Sequence, residues 1–225
     1  MTLFDHIPRL DQGQEAPLAA RLRPRTFNEF IGQEHLVGPE RVLRRAIETD
    51  QTPSMILWGP PGSGKTSLVH LIAGITKAHF APLSAVTAGV ADLRRIIEEA
   101  HKRNVARRQH TILFADEIHR FNKAQQDVLL PHVENGTITF IGATTENPSF
   151  EVISPLLSRC RVFALNPLTT EQVETAIIRA LTDKERGLGQ LNPTLDTDAL
   201  EMLVMASNGD MRVALNALEL AAIVS

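Results

Sequence analysis

The 225-residue chain has no tyrosine, one tryptophan and one cysteine, and only 4% of its residues are aromatic. The single Cys160 excludes an intramolecular disulfide and any metal site built from several thiolates. So little cysteine fits a reducing compartment. No run of apolar residues approaches the roughly 18 that a membrane span needs. Near the start of the chain, Asp5, Pro8 and Arg9 stand where a secretory signal would need an apolar core. Neither sign of charge dominates, with 22% charged residues and a formal net charge of −3. That balance excludes a disordered polyelectrolyte and a uniformly basic nucleic-acid coat. Lysine is scarce, five against eighteen arginines, so a local basic face would be built of arginine. There is no internal repeat and no low-complexity segment. What is present in quantity is apolar: 43% of the chain is hydrophobic, enough for the core of one large or two smaller domains.

The chain is organised around Gly59-Pro60-Pro61-Gly62-Ser63-Gly64-Lys65-Thr66. Two glycines flank four residues and are followed by Lys and a hydroxyl, the pattern of a phosphate-binding loop. Met55-Ile56-Leu57-Trp58 before it reads as a buried strand, and Ser67-Leu68-Val69-His70-Leu71-Ile72-Ala73 after it as a helix. Chance placement of residues in these proportions would give the pattern roughly 0.002 times. The chemistry needs these residue types. Glycines let backbone N–H groups converge on clustered negative charge, and the helix N-terminus adds its positive end. Lys65 would reach the outer phosphates, and the Thr66 hydroxyl would ligate Mg²⁺.

A second decisive stretch is Thr111-Ile112-Leu113-Phe114-Ala115-Asp116-Glu117, an apolar strand ending in two carboxylates. Asp116 would hold Mg²⁺ through water, and Glu117 would polarise the attacking water as general base. The plainer reading, a charged strand end, loses weight because the phosphate loop lies 51 residues upstream, counted from Lys65 to Asp116. His119 beside this pair reads as a surface or packing residue. Thr137–Ala143 forms another buried strand, and Thr144 and Thr145 follow it, where open α/β sheets bind ligands. Either hydroxyl could position a water or touch a γ-phosphate, and either could instead cap a turn. Phe80–Leu83, ending near Ser84, and Val162–Leu165 complete five strands, with helices at about 39–49, 90–103 and 125–134. Phe27, Phe30, Ile31 and Gly32 make an apolar segment able to wall an adenine ring, or plain core. The loop holding Lys102, Arg103, Arg107 and Arg108 is either a solvated turn or a phosphate contact. Arg159 ends a short helical stretch and reads otherwise as a surface ion pair. Cys160 reads as packing, since no base is paired with it. From Thr170 on strands stop, and helices at about 170–185, 196–207 and 210–224 mark a small helical unit. The expected division is a loose arm over 1–16, an α/β domain over 17–168 and a helical lid over 169–225. The last helix runs to the final residue with no stop signal, as expected of a fragment of a longer protein.

These motifs resemble the AAA+ ATPases, and within them the clamp-loader branch. GPPGSGKT at 59–66, ADE at 115–117, GATTENP at 142–148, SRC at 158–160 and GDMR at 209–212 carry that likeness. PLAARLRP at 17–24, DEIHRFNKAQQD at 116–127 and TITFIGATTENPSFE at 137–151 are similar to the replication-associated recombination protein A group, related to the Werner-helicase-interacting ATPase. The resemblance implies a P-loop α/β fold, a five-stranded parallel sheet of order 5-1-4-3-2 with a helical lid. It implies a Mg²⁺-dependent ATPase that uses ATP and releases ADP. Residues 59–67 from Gly59 to Ser67 would cradle the nucleotide, and Arg23, Pro24, Ile31 and Gly32 would hold its base. Thr66 and Asp116 become the metal residues, with Glu117 beside them. Thr145 becomes the residue sensing the γ-phosphate. Arg159 becomes a finger reaching a neighbouring subunit's nucleotide, and Arg212 a lid residue over the site. Ser84 would be the polar partner that restrains Glu117. Ala115 departs from the larger Val common at that position.

By the same resemblance the protein would act at replication forks, gaps and junctions in DNA recombination and repair, in the cytoplasm at the nucleoid. Its partners would be single-stranded, gapped or junction DNA. A tetramer would form through a region beyond Ser225, and single-strand-binding protein or a sliding clamp would be further partners. Thr2-Leu3-Phe4 faintly resembles clamp-docking peptides, though two incidental apolar residues are the plainer reading. The alternatives are a Holliday-junction branch-migration motor or a clamp-loader subunit. A GTPase is disfavoured because Asn122-Lys123 is followed by Ala124-Gln125, which breaks the guanine-reading run. A protein unfoldase is disfavoured by the lack of tyrosine and of an aromatic–glycine pore loop.

Overall fold

The computed structural model describes residues 16–224, so Thr2-Leu3-Phe4 and most of the expected arm lie outside the described residues. The described residues divide into two compact units, residues 24–167 and a helical unit built from 168–224 together with residues 16–23.

The first unit is built on five parallel strands: β1 (Met55–Trp58), β2 (His79–Ser84), β3 (Thr111–Asp116), β4 (Thr139–Thr144) and β5 (Arg161–Ala164). Their spatial order is β2-β3-β4-β1-β5, which read from the other edge is the expected 5-1-4-3-2. A parallel sheet covered on both faces needs near-continuous apolar strands, and in the central strands β1, β3 and β4 the alternation of side chains divides each strand between two cores. Met55, Leu57, Ile112, Phe114 and Ile141 enter one core, beneath α3 (Val42–Glu48) and α4 (Lys65–Ile75). Ile56, Leu113, Ala115 and Phe140 enter the other, beneath α5 (Val90–Arg107), α6 (Lys123–Glu134) and α8 (Ser154–Leu157). Short helices α2 (Glu34–Val37) and α7 (Pro148–Glu151) complete the unit.

Strand register brings the chemistry to one edge. Trp58 pairs with Thr144 and Ala164, and Ser84 pairs with Asp116. The carboxyl ends of β1, β3 and β4 therefore present Gly59, Asp116 and Thr144 together, where α/β sheets bind ligands.

The second unit packs α9 (Thr170–Thr182), α10 (Thr197–Ser207) and α11 (Met211–Val224) around Val173, Ile177, Leu215 and Leu218. The first described helix, α1 (Leu18–Arg21), belongs here and not to the α/β unit expected over 17–168. The reason is physical. Leu18 is buried in the helical core, its N–H donates to both Glu219 carboxylate oxygens at 2.9 Å, and Arg21 pairs with Glu219 at 3.3 Å. A carboxylate at a helix start satisfies donors that have no intrahelical partner.

Candidate nucleotide site

The phosphate loop is held from behind by the segment preceding it. Gly64 has φ 98°, and a Cβ there would lie 3.0 Å from the Phe30 ring, so glycine is required by both conformation and space. Gln33 is buried and αL, and its Nε2 donates to the Ser63 and Asn166 carbonyls at 3.1 and 2.7 Å. Its Oε1 accepts the Asn166 N–H at 2.9 Å. One amide thus fixes the phosphate loop to the segment that follows β5. Ile31 and Gly32 directly precede Gln33, and Pro24 stands at the start of the same unit. Arg23 lies in the helical unit, where its carbonyl accepts from Arg186 at 3.3 Å.

Lys65 opens α4 and is only 8% exposed. Its Nζ donates to the Gly59 and Pro60 carbonyls, each at 2.8 Å, so the ammonium sits inside the curve of the loop. Pro60 also accepts from the Ser63 hydroxyl at 2.8 Å, which stiffens the turn. The Thr66 hydroxyl lies 3.5 Å from Asp116 Oδ2. Two residues 50 apart in sequence are thereby brought to one point. Both donors are oxygens, the set a hard cation such as Mg²⁺ takes.

Glu117 leaves the strand in the left-handed region, φ 58°, ψ 48°. That conformation costs a non-glycine residue about 1–3 kcal/mol and collects at functional sites. The Ile118–Arg120 turn that follows seats against β4. Gly142 makes this approach possible, because a Cβ there would meet Ile118 Cδ1 at 3.1 Å and Cγ2 at 3.3 Å. The turn delivers His119 Nδ1 to 3.3 Å from Glu117 Oε2 and 3.0 Å from Thr144 Oγ1. Ser84, expected to restrain Glu117, is exposed at the tip of β2, and the contact to that carboxylate comes from His119. Of the two hydroxyls after β4, Thr144 is fully buried and accepts the Glu146 N–H at 3.0 Å. Thr145 is half-buried in the bend beyond the strand.

The two candidate arginines differ. Arg159 is docked on its own chain: Nη2 pairs with Glu134 at 3.1 Å and Nη1 donates to the Pro155 carbonyl at 2.8 Å. Arg212 is exposed in the first turn of α11, in the helical unit. Burial pushes the Cys160 thiol up to about 12, so it stays protonated at neutral pH, in keeping with packing. At the amino ends of β2 and β3, opposite the phosphate loop, a cleft of about 480 Å³ is lined by Lys77, Arg107, Arg108, His110, Gln109 and Asp50. Among the described residues no helix is long and apolar enough to cross a membrane.

Gln33, which braces the phosphate loop, and His119, which faces the Glu117 carboxylate, make contacts at the candidate site that the sequence alone did not single out. A buried amide leaves no sequence signal. The position of His119, two residues past a candidate base, was the available clue.

The ATPase family associated with various cellular activities, AAA, matches residues 55–168. The chain belongs to that family. It is 53% identical to Replication-associated recombination protein A of Escherichia coli strain K12 over 207 residues, which cover 92% of this chain and 46% of that protein. It is 50% identical to the protein of the same name from Haemophilus influenzae, over 91% of this chain and 46% of that one. The chain thus spans about half the length of the curated relatives it matches. Among solved structures, the Thermotoga maritima RuvB Holliday junction branch migration motor superposes with a TM-score of 0.70 at 29% identity, over 88% of this chain and 64% of that one. Membership of this AAA family accounts for the phosphate loop, the β3 carboxylates and the strand order found above.

Proposed function

We propose that this AAA chain binds and hydrolyses ATP, and that it is the nucleotide-driven part of a protein acting on DNA at replication forks, gaps and junctions during recombination and repair. The observation that carries the ATPase reading is the Thr66 hydroxyl 3.5 Å from the Asp116 carboxylate, with Glu117 the next residue and Lys65 buried in the loop. The loop N–H groups from Gly62 to Ser67 cradle the phosphates, with Gly59, Pro60 and Pro61 shaping the turn, and Lys65 exchanges its carbonyl acceptors for outer phosphate oxygens. Thr66 and Asp116 would hold Mg²⁺, which neutralises phosphate charge when bound. Glu117 accepts a proton from the attacking water. Thr145 orients that water or the γ-phosphate. Arg159 and Arg212 stabilise the charge that develops, Arg159 on the nucleotide of a neighbouring subunit. The apolar wall of Ile31 and Gly32, with Pro24 and Arg23, takes the base.

The DNA reading rests on likeness to the relatives called Replication-associated recombination protein A, at 50–53% identity. The cleft lined by Lys77, Arg107 and Arg108 offers phosphate contacts that the net charge of −3 hides. Assembly into a tetramer, and contacts to single-strand-binding protein or a sliding clamp, extend this reading to the longer protein, at the nucleoid. The likeness to RuvB supports a second reading, a branch-migration motor, but at 29% identity it is the less well supported. The test is the ATPase rate of the longer protein without DNA and with single strands, blunt duplex, gapped duplex and a four-way junction. Stimulation by gapped or single-stranded DNA is expected. Stimulation by the four-way junction alone favours the motor, and stimulation by none overturns the DNA reading.

A further inference from the structure

We propose that His119 is a positioning residue that aims Glu117 and ties its carboxylate to the end of β4. The inference rests on the ATPase reading of the same site. Glu117 is 43% exposed, a side chain with three rotatable torsions at the mouth of the site. A general base works only when its oxygen is aimed at the proton it takes. Among the described residues, the side chain that faces this carboxylate is His119, itself only 13% exposed.

The hydrogen-bond pattern assigns the ring its tautomer. Thr144 Oγ1 accepts the Glu146 N–H at 3.0 Å and has the Glu146 carbonyl, at 3.4 Å, as acceptor for its own proton. What remains on that hydroxyl is a lone pair, which needs a donor. Glu117 Oε2, when ionised, is also an acceptor only. Both lie within reach of the one nitrogen, His119 Nδ1, at 3.0 and 3.3 Å. A bare Nδ1 lone pair would face two acceptors. An Nδ1–H donates to Thr144 Oγ1 and keeps the positive side of the ring toward Glu117 Oε2 at 3.3 Å. The neutral imidazole therefore carries its proton on Nδ1. It links the general base to the strand end whose next residue is Thr145, the residue proposed to meet water or the γ-phosphate. A movement of the β4 tip is passed to Glu117 through this ring.

The linkage depends on Ile118 seating over Gly142, as described above. His119 makes no use of a phosphate contact, so its loss should leave nucleotide affinity alone and act on turnover.

The test uses five variants of the longer protein, four single and one double, with the ATP dissociation constant and the turnover number measured for each. His119→Ala should keep the dissociation constant within about twofold and lower turnover roughly 10–10²-fold, the scale of a small misplacement of a catalytic group. His119→Asn places an amide N–H near the Nδ1 position and should recover most of that loss. His119→Gln places its amide near Nε2 and should not. Thr144→Val should lower turnover in the same sense, and combined with His119→Ala it should add little further loss. Long-range ¹H–¹⁵N correlation of the ring should report the Nδ1–H tautomer in the wild-type chain and needs no turnover. Unchanged turnover in His119→Ala, equal recovery by Asn and Gln, or an Nε2–H tautomer would overturn the inference. If His119→Ala fails to fold, the Asn–Gln contrast and the tautomer decide. A longer wild-type protein that binds ATP but never turns it over sinks the ATPase reading itself, an outcome separate from the others.

Discussion

Gly142→Ala adds one methyl group at the point where the Ile118 turn rests on β4. The added Cβ would lie 3.1 Å from Ile118 Cδ1, 3.3 Å from Ile118 Cγ2 and 3.3 Å from the Phe140 ring. All three neighbours belong to fully buried side chains, so the methyl has no open space to enter. Overpacking of this kind costs about 1–3 kcal/mol. For a chain of this size that is a fall in melting temperature of about 2–12 °C. The easiest relief is for the turn to lift off the strand, which draws His119 away from its 3.0 Å contact with Thr144. Turnover should then fall by roughly 10–10²-fold, with ATP affinity unchanged, because Lys65 and the phosphate loop are untouched. Ile118→Val removes Cδ1, the nearest of the three atoms. Alone it should cost about 0.5–1.5 kcal/mol. Combined with Gly142→Ala it should recover stability and turnover, a coupling that a double-mutant cycle reads directly. The assays are thermal melting and steady-state ATPase on the four proteins. Wild-type melting and turnover in Gly142→Ala would refute the seating argument, as would strict additivity of the two changes.

Lys65→Ala should weaken ATP binding itself, and an unchanged dissociation constant by titration calorimetry would remove Lys65 from the phosphate site. If Arg159 acts on a neighbouring subunit, activity per mole should rise with protein concentration and Arg159→Ala should flatten that rise, since a finger in trans contributes about 10³–10⁵ in turnover. Its exposed pair with Glu134, worth about 0–1 kcal/mol, is too weak to hold it back, so Glu134→Ala should leave turnover undiminished; a flat concentration profile in the wild type would contradict the finger role. His79 is held below its ordinary value of 6.5 by burial first and then by Arg103, with Glu99 opposing, and His132 is lowered by burial and by His101. A group lowered in the folded state adds stability that is present above pH 6.5 and lost as pH falls through the folded value. The urea midpoint should therefore drop between about pH 7 and pH 5, and the drop should shrink in His79→Gln; an equal drop in that variant would show that the burial of His79 carries none of it.

The parts of this molecule that were legible in the sequence are those set by backbone and periodicity. The phosphate loop is defined by where glycine is needed, and the apolar runs of β1, β3 and β4 become central strands because both faces of the sheet are covered there. The carboxylate pair at the tip of β3 is set by chain direction. What was not legible depends on neighbours distant in sequence. Leu18 joins the helical unit because Glu219, 201 residues away, supplies the acceptor for its N–H. Gln33 braces the phosphate loop through Asn166, 133 residues on. Thr144 and Thr145 are identical as letters, and only the end of strand alternation turns the first inward to His119 and leaves the second in the bend. Arg159 carries both of its readings at once, a candidate finger and a present ion pair with Glu134.

The central claim is that the site binds ATP and that Glu117 removes the proton from water. Glu117→Gln keeps the size and position of the side chain while removing its basicity. Equilibrium ATP binding and single-turnover hydrolysis, measured on the same preparation, separate the two functions. The account predicts a dissociation constant within about twofold of wild type and a turnover lower by about 10²–10⁴-fold. Equal losses in binding and turnover, or turnover at the wild-type rate, would contradict it.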